Sequence, residues 1–428
     1  MKPVLQLALD FVNLSRAQKV AKEAMAGGCD WLEAGTPLIK SEGLDAVRKL
    51  REKFPDVVIV ADMKTMDAGR VEVESAAKAG ANIIGVLGAA SDSTIRECVE
   101  AAANYGAKIE VDLIGVQPVA LRAKEVEAME VDYIGIHCAI DEQMEGKAPF
   151  DRLEEVANAV NIPIAVAGGI NSETCVDAIE AGASIVVVGG AISKAKDPKE
   201  ATRKIKEAME TGKRIKTELF RRVTISDIRK VLEKVSTPNL SDAMHRSGDL
   251  KGIYPIAAGV KMVGPALTVR TYPGDWAKTV QAVDKAGQGQ VIVIDAGGVG
   301  PAVWGELATH GSIQRGLAGV VIDGATRDTP EIRRLKFPVF TKLIVPTAGE
   351  PKGFGEIGIP VTVGGVRVFN GDWIVGDDDG VVAIPQKKAA EIANRAMSVL
   401  EMENRLREEI DSGSTLAKVI ELLRWEKK

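Results

Sequence analysis

Val57-Val-Ile-Val-Ala-Asp62-Met-Lys64-Thr-Met-Asp67 is the stretch on which the reading of this chain turns. An unbroken apolar run of this length suits a central parallel strand covered on both faces. Its C-terminal end then delivers two carboxylates and one ammonium to a small volume. At that edge of an α/β sheet, side chains leave the core and can meet substrate. Acid, base and acid in that place can hold a metal, move a proton and stabilise a developing anion. A structural ion pair has the same appearance in isolation, so the surrounding pattern has to decide.

That pattern is a repeat. Short apolar runs stand at Val4–Leu9, Trp31–Glu33, Val57–Ala61, Ile83–Leu87, Lys108–Asp112, Tyr133–His137, Ile164–Ala167 and Ile185–Val188. Amphipathic stretches such as Ser15–Ala26 and Leu44–Lys53 lie between them, with helix-stopping glycines at Gly27-Gly28, Gly80 and Gly182. Eight βα units favour closure into a (β/α)8 barrel over an open doubly wound sheet.

The chain has 428 residues, 46% hydrophobic and 27% charged, and a net charge of −5. This is an ordinary globular balance with enough apolar material for two or three domains. It implies no general affinity for nucleic acid or anionic membranes. Met1 leads directly into Val4-Leu-Gln-Leu-Ala8 without a leader pattern, and no apolar stretch has the length of a membrane span, so a cytoplasmic protein is expected. Cys29, Cys98, Cys138 and Cys175 form no C-x-x-C pair and read as reduced core thiols. Histidine is scarce, with only His137, His245 and His310.

The barrel pattern predicts a first domain over 1–210, a helical linker over 211–222, a second α/β domain over 223–385 and a helical tail over 386–428. Lys199–Arg222 reads as one helix that closes the barrel and leads outward, and Ile225–Lys234 begins the next domain. Lys and Arg exceed Asp and Glu around this junction, most simply as a solvated helical face. Candidate strands follow at Ala266–Arg270, Val291–Asp295, Gly319–Asp323, Val339–Phe340, Val361–Val363, Val366–Val368, Trp373–Gly376 and Val381–Ile384. Gly364-Gly365, Asn370-Gly371 and Asp379-Gly380 supply hairpin turns. Helices are expected near Leu240–Ser247, Trp276–Ala286 and Val303–Arg315, giving an α/β sandwich with a mixed sheet. In the tail, Ile392, Ala396, Val399, Leu400, Leu406 and Ile410 form an apolar stripe.

In a barrel, the strand ends converge on one mouth. Asp10, Glu33, Asp62 with Lys64 and Asp67, Asp112 and His137 all fall at such ends. Strands 7 and 8 run into Gly168-Gly169 and Gly189-Gly190. These loops commonly cradle phosphate, because residues without Cβ let backbone N–H groups approach the oxygens. Glu33 and Asp62 offer oxygen ligands to a hard dication such as Mg²⁺. Lys64, kept protonated by its acidic neighbours, can neutralise an enediolate, and His137 can carry the proton.

Leu7-Ala-Leu-Asp10, Glu33-Ala-Gly-Thr36-Pro-Leu-Ile39, Asp62-Met-Lys64-Thr-Met-Asp67, His137, Asp141-Glu-Gln143, Ala167-Gly-Gly-Ile170 and Val188-Gly-Gly-Ala-Ile192 resemble the 3-hexulose-6-phosphate synthases of the orotidine monophosphate decarboxylase superfamily. The resemblance covers residues 1 to about 210. It implies a Mg²⁺-dependent aldol reaction between ribulose 5-phosphate and formaldehyde, or its reverse. It implies metal ligands at Glu33 and Asp62, and catalytic roles for Asp10, Lys64, Asp67 and His137. Substrate contacts are implied at Asp10, Thr36 and the two glycine pairs. The position of Asp67 usually serves the partner subunit's site, which implies a dimer. The alternative is 3-keto-L-gulonate-6-phosphate decarboxylase, which carries arginines where this chain has Ile140 and Gly190. Orotidine monophosphate decarboxylase itself leaves Glu33 and His137 unexplained.

In the second half, Glu306 precedes Arg327-Asp328, with Glu331 three residues on. Paired Arg and Asp at a strand end can bind a carboxylate or enolate and hold a metal, although a surface ion pair looks alike. Thr237-Pro-Asn-Leu-Ser-Asp242, Gly264-Pro-Ala-Leu-Thr268, Val303-Trp-Gly-Glu-Leu307, Gly324-Ala-Thr-Arg-Asp328 and Gly376-Asp-Asp-Asp-Gly-Val-Val382 resemble the RraA-like family. That family includes ribonuclease regulators, which form trimeric rings, and class II 4-hydroxy-4-methyl-2-oxoglutarate aldolases. The resemblance implies substrate contacts at Glu306 and Arg327, a catalytic Arg327 and a metal at Asp328. The aldolases place Asp where Glu306 stands. A ribonuclease partner and an oligomerising scaffold are the competing readings of this half, and His245 and His310 read as structural.

Overall fold

The computed structural model describes residues 2–217, 222 and 227–420. They fall into two compact units, one holding 2–143, 147–217, 222 and 401–420, the other 144–146 and 227–400. None of their helices is long and apolar enough to cross a membrane.

The first unit is a closed barrel of eight parallel strands in sequence order. These are β1 (Val4–Leu9), β2 (Trp31–Ala34), β3 (Val58–Thr65), β4 (Ile83–Leu87), β5 (Lys108–Asp112), β6 (Tyr133–His137), β7 (Ile164–Ala167) and β8 (Ile185–Val188). The outer faces of the strands pack on the helices in one apolar core, which includes Leu5, Leu7, Ile59, Ile134 and Val186. The inner faces form a smaller cluster of Ala8, Val60, Ile83, Tyr133, Ala165, Ile185 and Val187.

Strand β3 runs further than its apolar segment predicts, because Asp62, Met63, Lys64 and Thr65 belong to it. Its pairing with β4 slips between Ala61 and Thr65. Lys64 takes a left-handed backbone conformation there, φ 48°. Such a bulge re-aims side chains at the end of a strand, at a cost in backbone strain.

The helix that closes the barrel is Pro198–Thr211, capped by the Asp197 carboxylate on the Glu200 N–H and stopped at left-handed Gly212. The expected continuation to Arg222 is therefore corrected. Residues 213–217 are not helical, and 218–221 lie outside the described residues, as does the start of the Ile225–Lys234 segment. Residues 401–420 belong to the barrel unit. There Arg405 meets Glu23 at 3.3 Å and Glu409 at 3.0 Å, and Arg16 meets Glu409 at 3.2 Å.

The second unit is a mixed sheet with helices. Its strands are β9 (Tyr254–Pro255), β10 (Met262–Arg270), β11 (Val291–Asp295), β12 (Ala302–Trp304), β13 (Gly319–Thr326), β14 (Val339–Ile344), β15 (Glu356–Ile357), β16 (Val361–Val363), β17 (Val366–Val368), β18 (Trp373–Asp377) and β19 (Gly380–Ile384). The main order is β19-β18-β10-β11-β13-β14-β9, parallel from β10 to β14 and antiparallel at both edges. The expected helix over Val303–Arg315 begins only at Glu306, since Ala302–Trp304 pairs with β13 and extended Gly305 separates the two. The expected helix Leu240–Ser247 is instead Thr237–Ala243, with His245 and Arg246 left-handed just after it. Ala389, Ile392, Ala393, Ala396 and Met397, in the first turns of the helix Ala389–Asp411, pack with Val375 and Ile384.

Candidate active site

The barrel mouth gathers the acid–base groups on strand ends. Asp62 and Lys64 come together at the bulged end of β3. Glu110 and Asp112 share one face of β5 by the period of two, and His137 ends β6. Lys64 Nζ lies 3.0 Å from Asp62 Oδ2 and 3.1 Å from Asp112 Oδ2. His137 Nδ1 stands 3.3 Å from that same Asp112 oxygen, while Asp112 Oδ1 accepts the Ile114 N–H at 2.9 Å. Four groups from three strands thus form one chain: Asp62, Lys64, Asp112, His137.

Their electrostatics follow from this packing. Desolvation pulls the Lys64 ammonium down, but the charges and hydrogen bonds of Asp62 and Asp112 outweigh it and hold it above its ordinary value. Burial pushes Asp112 up, yet the His137 hydrogen bond and charge, then Lys64, keep it below the usual carboxylate range. An ionised Asp112 accepts from His137 Nδ1–H, which leaves the other ring nitrogen, Nε2, as the proton-accepting site.

Glu33 lies deeper, buried, with Gln6 Nε2 donating to its Oε2 at 2.6 Å. Desolvation, then the Asp62 and Asp10 charges, raise it well above an ordinary carboxyl. Asp10 stands at the mouth and is raised by desolvation and by Asp62. Concentrated negative charge that lifts its own members is what a divalent cation relieves, and oxygen donors suit Mg²⁺. Glu33 and Asp62 therefore fit such an ion.

Thr36 opens the helix Thr36–Glu42, and its hydroxyl donates to Asp62 Oδ2 at 2.7 Å and to the Asp62 carbonyl at 3.0 Å. It positions Asp62 in addition to any substrate contact. Gly35, just before it, touches Asp10 so closely that any Cβ would collide with Oδ1.

Gly168 and Gly169 have φ of 115° and 71°, and a Cβ on Gly168 would lie 2.7 Å from the Cys138 carbonyl. Gly189 sits beside Asp10, whose Oδ2 would be 3.6 Å from a Cβ there, and Gly190 begins the turn Gly190–Ser193. Both glycine pairs thus stand at the ends of β7 and β8, beside the acidic mouth. Asp67 is not drawn in. It is exposed, and its carboxylate accepts the Ala68 N–H at 2.7 Å.

Three participants were not singled out from sequence as site residues. Glu110 is pushed up to about 8 by desolvation and by the Asp112 and Asp62 charges, and its Oε2 is closed off from solvent without a hydrogen-bond partner among the described residues. Its signal was the spacing Glu110-Val-Asp112, which puts both acids on one strand face. Gln6 was hidden as a polar residue inside an apolar run. Lys194 lies within electrostatic reach of Asp10 and is lowered chiefly by desolvation.

In the second unit, Arg327 and Asp328 directly follow β13, at a strand end as expected. Asp328, left-handed at φ 59°, accepts the Glu306 N–H at 3.2 Å, and Arg327 Nε lies 3.7 Å from its Oδ2. Glu306, His310 and Glu331 each offer a ligand atom within 4.8 Å of the others. His310 Nε2 is 3.6 Å from Glu306 Oε1, a pairing not foreseen from the sequence. The i,i+4 spacing of Glu306 and His310 on one helix was the overlooked signal. Glu331 also pairs with Arg334. His245 is exposed at φ 55°.

The profile of the orotidine 5′-phosphate decarboxylase / HUMPS family matches residues 3–205, and that of the RraA-like family (aldolase/RraA) matches residues 237–383. The 3-hexulose-6-phosphate synthase of Bacillus subtilis is 44% identical over 209 residues, covering 49% of this chain and 99% of that protein. The synthase of Staphylococcus epidermidis is 42% identical over 207 residues, covering 48% and 98%. A solved 3-hexulose-6-phosphate synthase from Salmonella typhimurium is 36% identical, covers 50% of this chain and 100% of its own, and has a TM-score of 0.48.

Proposed function

The N-terminal half of this chain belongs to the 3-hexulose-6-phosphate synthase family, and on that footing we propose that its barrel joins ribulose 5-phosphate to formaldehyde, or runs the reverse cleavage. The family is one of lyases, and the C-terminal half carries an RraA-like domain. The observation that carries the proposal is the continuous Asp62–Lys64–Asp112–His137 chain at the mouth. An aldol addition needs a proton removed from carbon, an enediolate stabilised, and a proton returned to the new alkoxide.

His137 Nε2 removes the proton from C1 of ribulose 5-phosphate, while Asp112 fixes the ring through Nδ1. The electron pair left on C1 forms the new bond to the formaldehyde carbon. The carbonyl electrons move to the formaldehyde oxygen, which takes up the proton that His137 removed from C1. Lys64 stays charged throughout and neutralises the enediolate oxygen. The backbone N–H groups around Gly168, Gly169, Gly189 and Gly190 receive the phosphate, and Thr36 holds Asp62 in place. A divalent cation such as Mg²⁺ on Glu33 and Asp62 would supply Lewis-acid stabilisation to the same anion. Asp67, exposed beside exposed Met66 and Val71, suits service to a second copy of the chain in a homo-oligomer of cytoplasmic enzyme.

The decarboxylase alternative is less supported, since the curated relatives above carry the synthase name and Ile140 and Gly190 stand where it needs arginines. For the C-terminal half, the Arg327–Asp328 pair favours a metal-dependent aldolase or decarboxylase of pyruvate type over a ribonuclease-binding module. The deciding experiment for the barrel is formaldehyde consumption with ribulose 5-phosphate, with and without Mg²⁺, beside formaldehyde release from the hexulose phosphate. Turnover lost on chelation supports the reading. No turnover in either direction, with CO₂ released from 3-keto-gulonate 6-phosphate, overturns it.

A further inference from the structure

Beneath the mouth, the barrel interior holds polar groups that the aldol chemistry does not use. Inward-facing side chains of a (β/α)8 barrel come together in layers drawn from alternate strands. The registers place Gln6 of β1, Val60 of β3, Glu110 of β5 and Ala165 of β7 in one such layer. The layer above it holds Glu33, Gly85, Gly135 and Val187, and the one above that Ala8, Asp62, Asp112 and Ala167.

Two oxygens in the lowest of these layers lack any hydrogen-bond partner among the described residues: Gln6 Oε1 and Glu110 Oε2. They come from opposite strands. Gln6 is 1% exposed, and its amide is directed at Glu33 by the 2.6 Å bond to Oε2. Between them and Asp62 the strands carry glycine. A Cβ on Gly135 would lie 2.8 Å from Glu110 Oε1, and one on Gly85 would lie 3.2 Å from Asp62 Oδ1. Interior oxygens without donors are costly and are normally met by protein or ordered water. Gln6 Oε1 is an acceptor, and Glu110 Oε2 is one once its carboxyl gives up its proton beside a cation, so an oriented donor suits both. Mg²⁺ dehydrates reluctantly and keeps several waters, each an oriented donor.

We propose that Gln6 and Glu110 form the inner floor of the cation site, accepting hydrogen bonds from the water on the buried side of a hydrated divalent ion whose direct ligands are Glu33 and Asp62. This rests on the cation reading given above. Gln6 and Glu110 are positioning residues, since they act on the ion's hydration shell and touch no substrate atom. Removing such outer contacts typically weakens metal affinity by about 10- to 100-fold.

The test is Mn²⁺ titration of the full chain, with free Mn²⁺ read by electron paramagnetic resonance and no substrate present. Glu110→Met, which fills the same space without an acceptor, is expected to weaken Mn²⁺ binding about tenfold. Glu110→Gln keeps an acceptor and is expected to recover most of it. Thermal melts in chelator should show no loss of stability in either variant. Glu33→Gln, which alters a direct ligand, is the control and should lose binding more severely. If Glu33→Gln loses binding while Glu110→Met stays within twofold of the wild type, the floor is overturned and the direct ligands stand. If Glu110→Gln binds as weakly as Glu110→Met, the hydrogen-bonding role is overturned. If the wild type takes up no Mn²⁺, or Glu33→Gln binds it unchanged, the cation reading itself falls and the floor with it.

Discussion

His137 Nδ1 stands 3.3 Å from Asp112 Oδ2, the oxygen that also receives the Lys64 ammonium at 3.1 Å. In the proposed mechanism this one carboxylate therefore sets the tautomer of the proton carrier and pairs with the cation that stabilises the anion. Asp112→Asn keeps the shape but removes the charge that fixes Nδ1–H. We expect kcat to fall by roughly 10²- to 10⁴-fold, the usual scale of general acid–base catalysis. The KM for the sugar phosphate should change little. Steady-state kinetics beside circular dichroism check this, and a wild-type kcat in Asp112→Asn would remove Asp112 from the mechanism.

Lys64 and Asp62 should each be indispensable. Lys64→Ala and Asp62→Ala are expected to abolish turnover with little change in folding, because both side chains lie at the mouth and not in the apolar core. Asp62 and Asp112 keep Lys64 above its ordinary value, so it remains charged through the neutral range. A pH–rate profile should accordingly show no loss that tracks deprotonation of Lys64. Full activity in Lys64→Ala would sink the proposed anion stabilisation.

Much of this was legible in the chain. The eight apolar runs specify eight strands because period and spacing carry that information locally. The mouth residues follow because strand ends converge in a closed barrel, so Asp10, Glu33, Asp62, Asp112 and His137 could be placed from one-dimensional positions. What could not be read were features set by cross-strand geometry. The bulge at Lys64 depends on the β3–β4 register, and the Gln6–Glu33 bond depends on two strands meeting inside the barrel. Glu110 looks like a solvated charge in sequence and becomes an interior carboxyl only once its strand is closed into the barrel. In the second unit, Val303-Trp304 has no strand signature of its own and becomes β12 only by pairing with β13.

Glu110 gives a pH prediction for stability. Its carboxyl is raised from 4.5 to about 8 in the folded chain. Between those values the folded state holds a proton that the unfolded state has released, so stability declines as pH rises through that window. The loss levels off above about pH 8 and amounts to at most about 5 kcal/mol. Glu110→Gln, measured in chelator, should therefore be no more stable than the wild type near pH 4 and progressively more stable toward pH 8. Denaturant unfolding across that range checks it. A difference that does not vary with pH would show that Glu110 is not held protonated.

Gly190 tests the phosphate cradle. A carboxylate there would repel a phosphate dianion from the backbone N–H groups at the end of β8. Gly190→Glu is expected to raise the KM for the sugar phosphate at least tenfold, with the KM for formaldehyde little changed, since only one substrate carries phosphate. Normal sugar-phosphate KM in this variant would remove Gly190 from that role. Gly168→Ala is the structural counterpart, because φ of 115° and a Cβ 2.7 Å from the Cys138 carbonyl both oppose it. It should cost about 1–3 kcal/mol in stability, a folding effect separable by its lowered melting temperature.

The RraA-like half is tested through Arg327. Its guanidinium neighbours Asp328, whose carboxylate also accepts the Glu306 N–H, so an anion and a cation stand side by side at the end of β13. A 2-oxo dicarboxylate such as oxaloacetate would place a carboxylate on Arg327, and Asp328 would hold a divalent metal whose contribution would be Lewis-acid stabilisation of the developing negative charge. Arg327→Ala is expected to abolish a Mg²⁺-dependent oxaloacetate decarboxylation while leaving formaldehyde turnover unaltered. Asp328→Asn should do the same by removing the metal's anionic ligand. If the wild-type chain releases no CO₂ from oxaloacetate above the Mg²⁺ background, the enzymatic reading of this half loses its support. Capture of a ribonuclease by purified full-length chain would then favour the binding module.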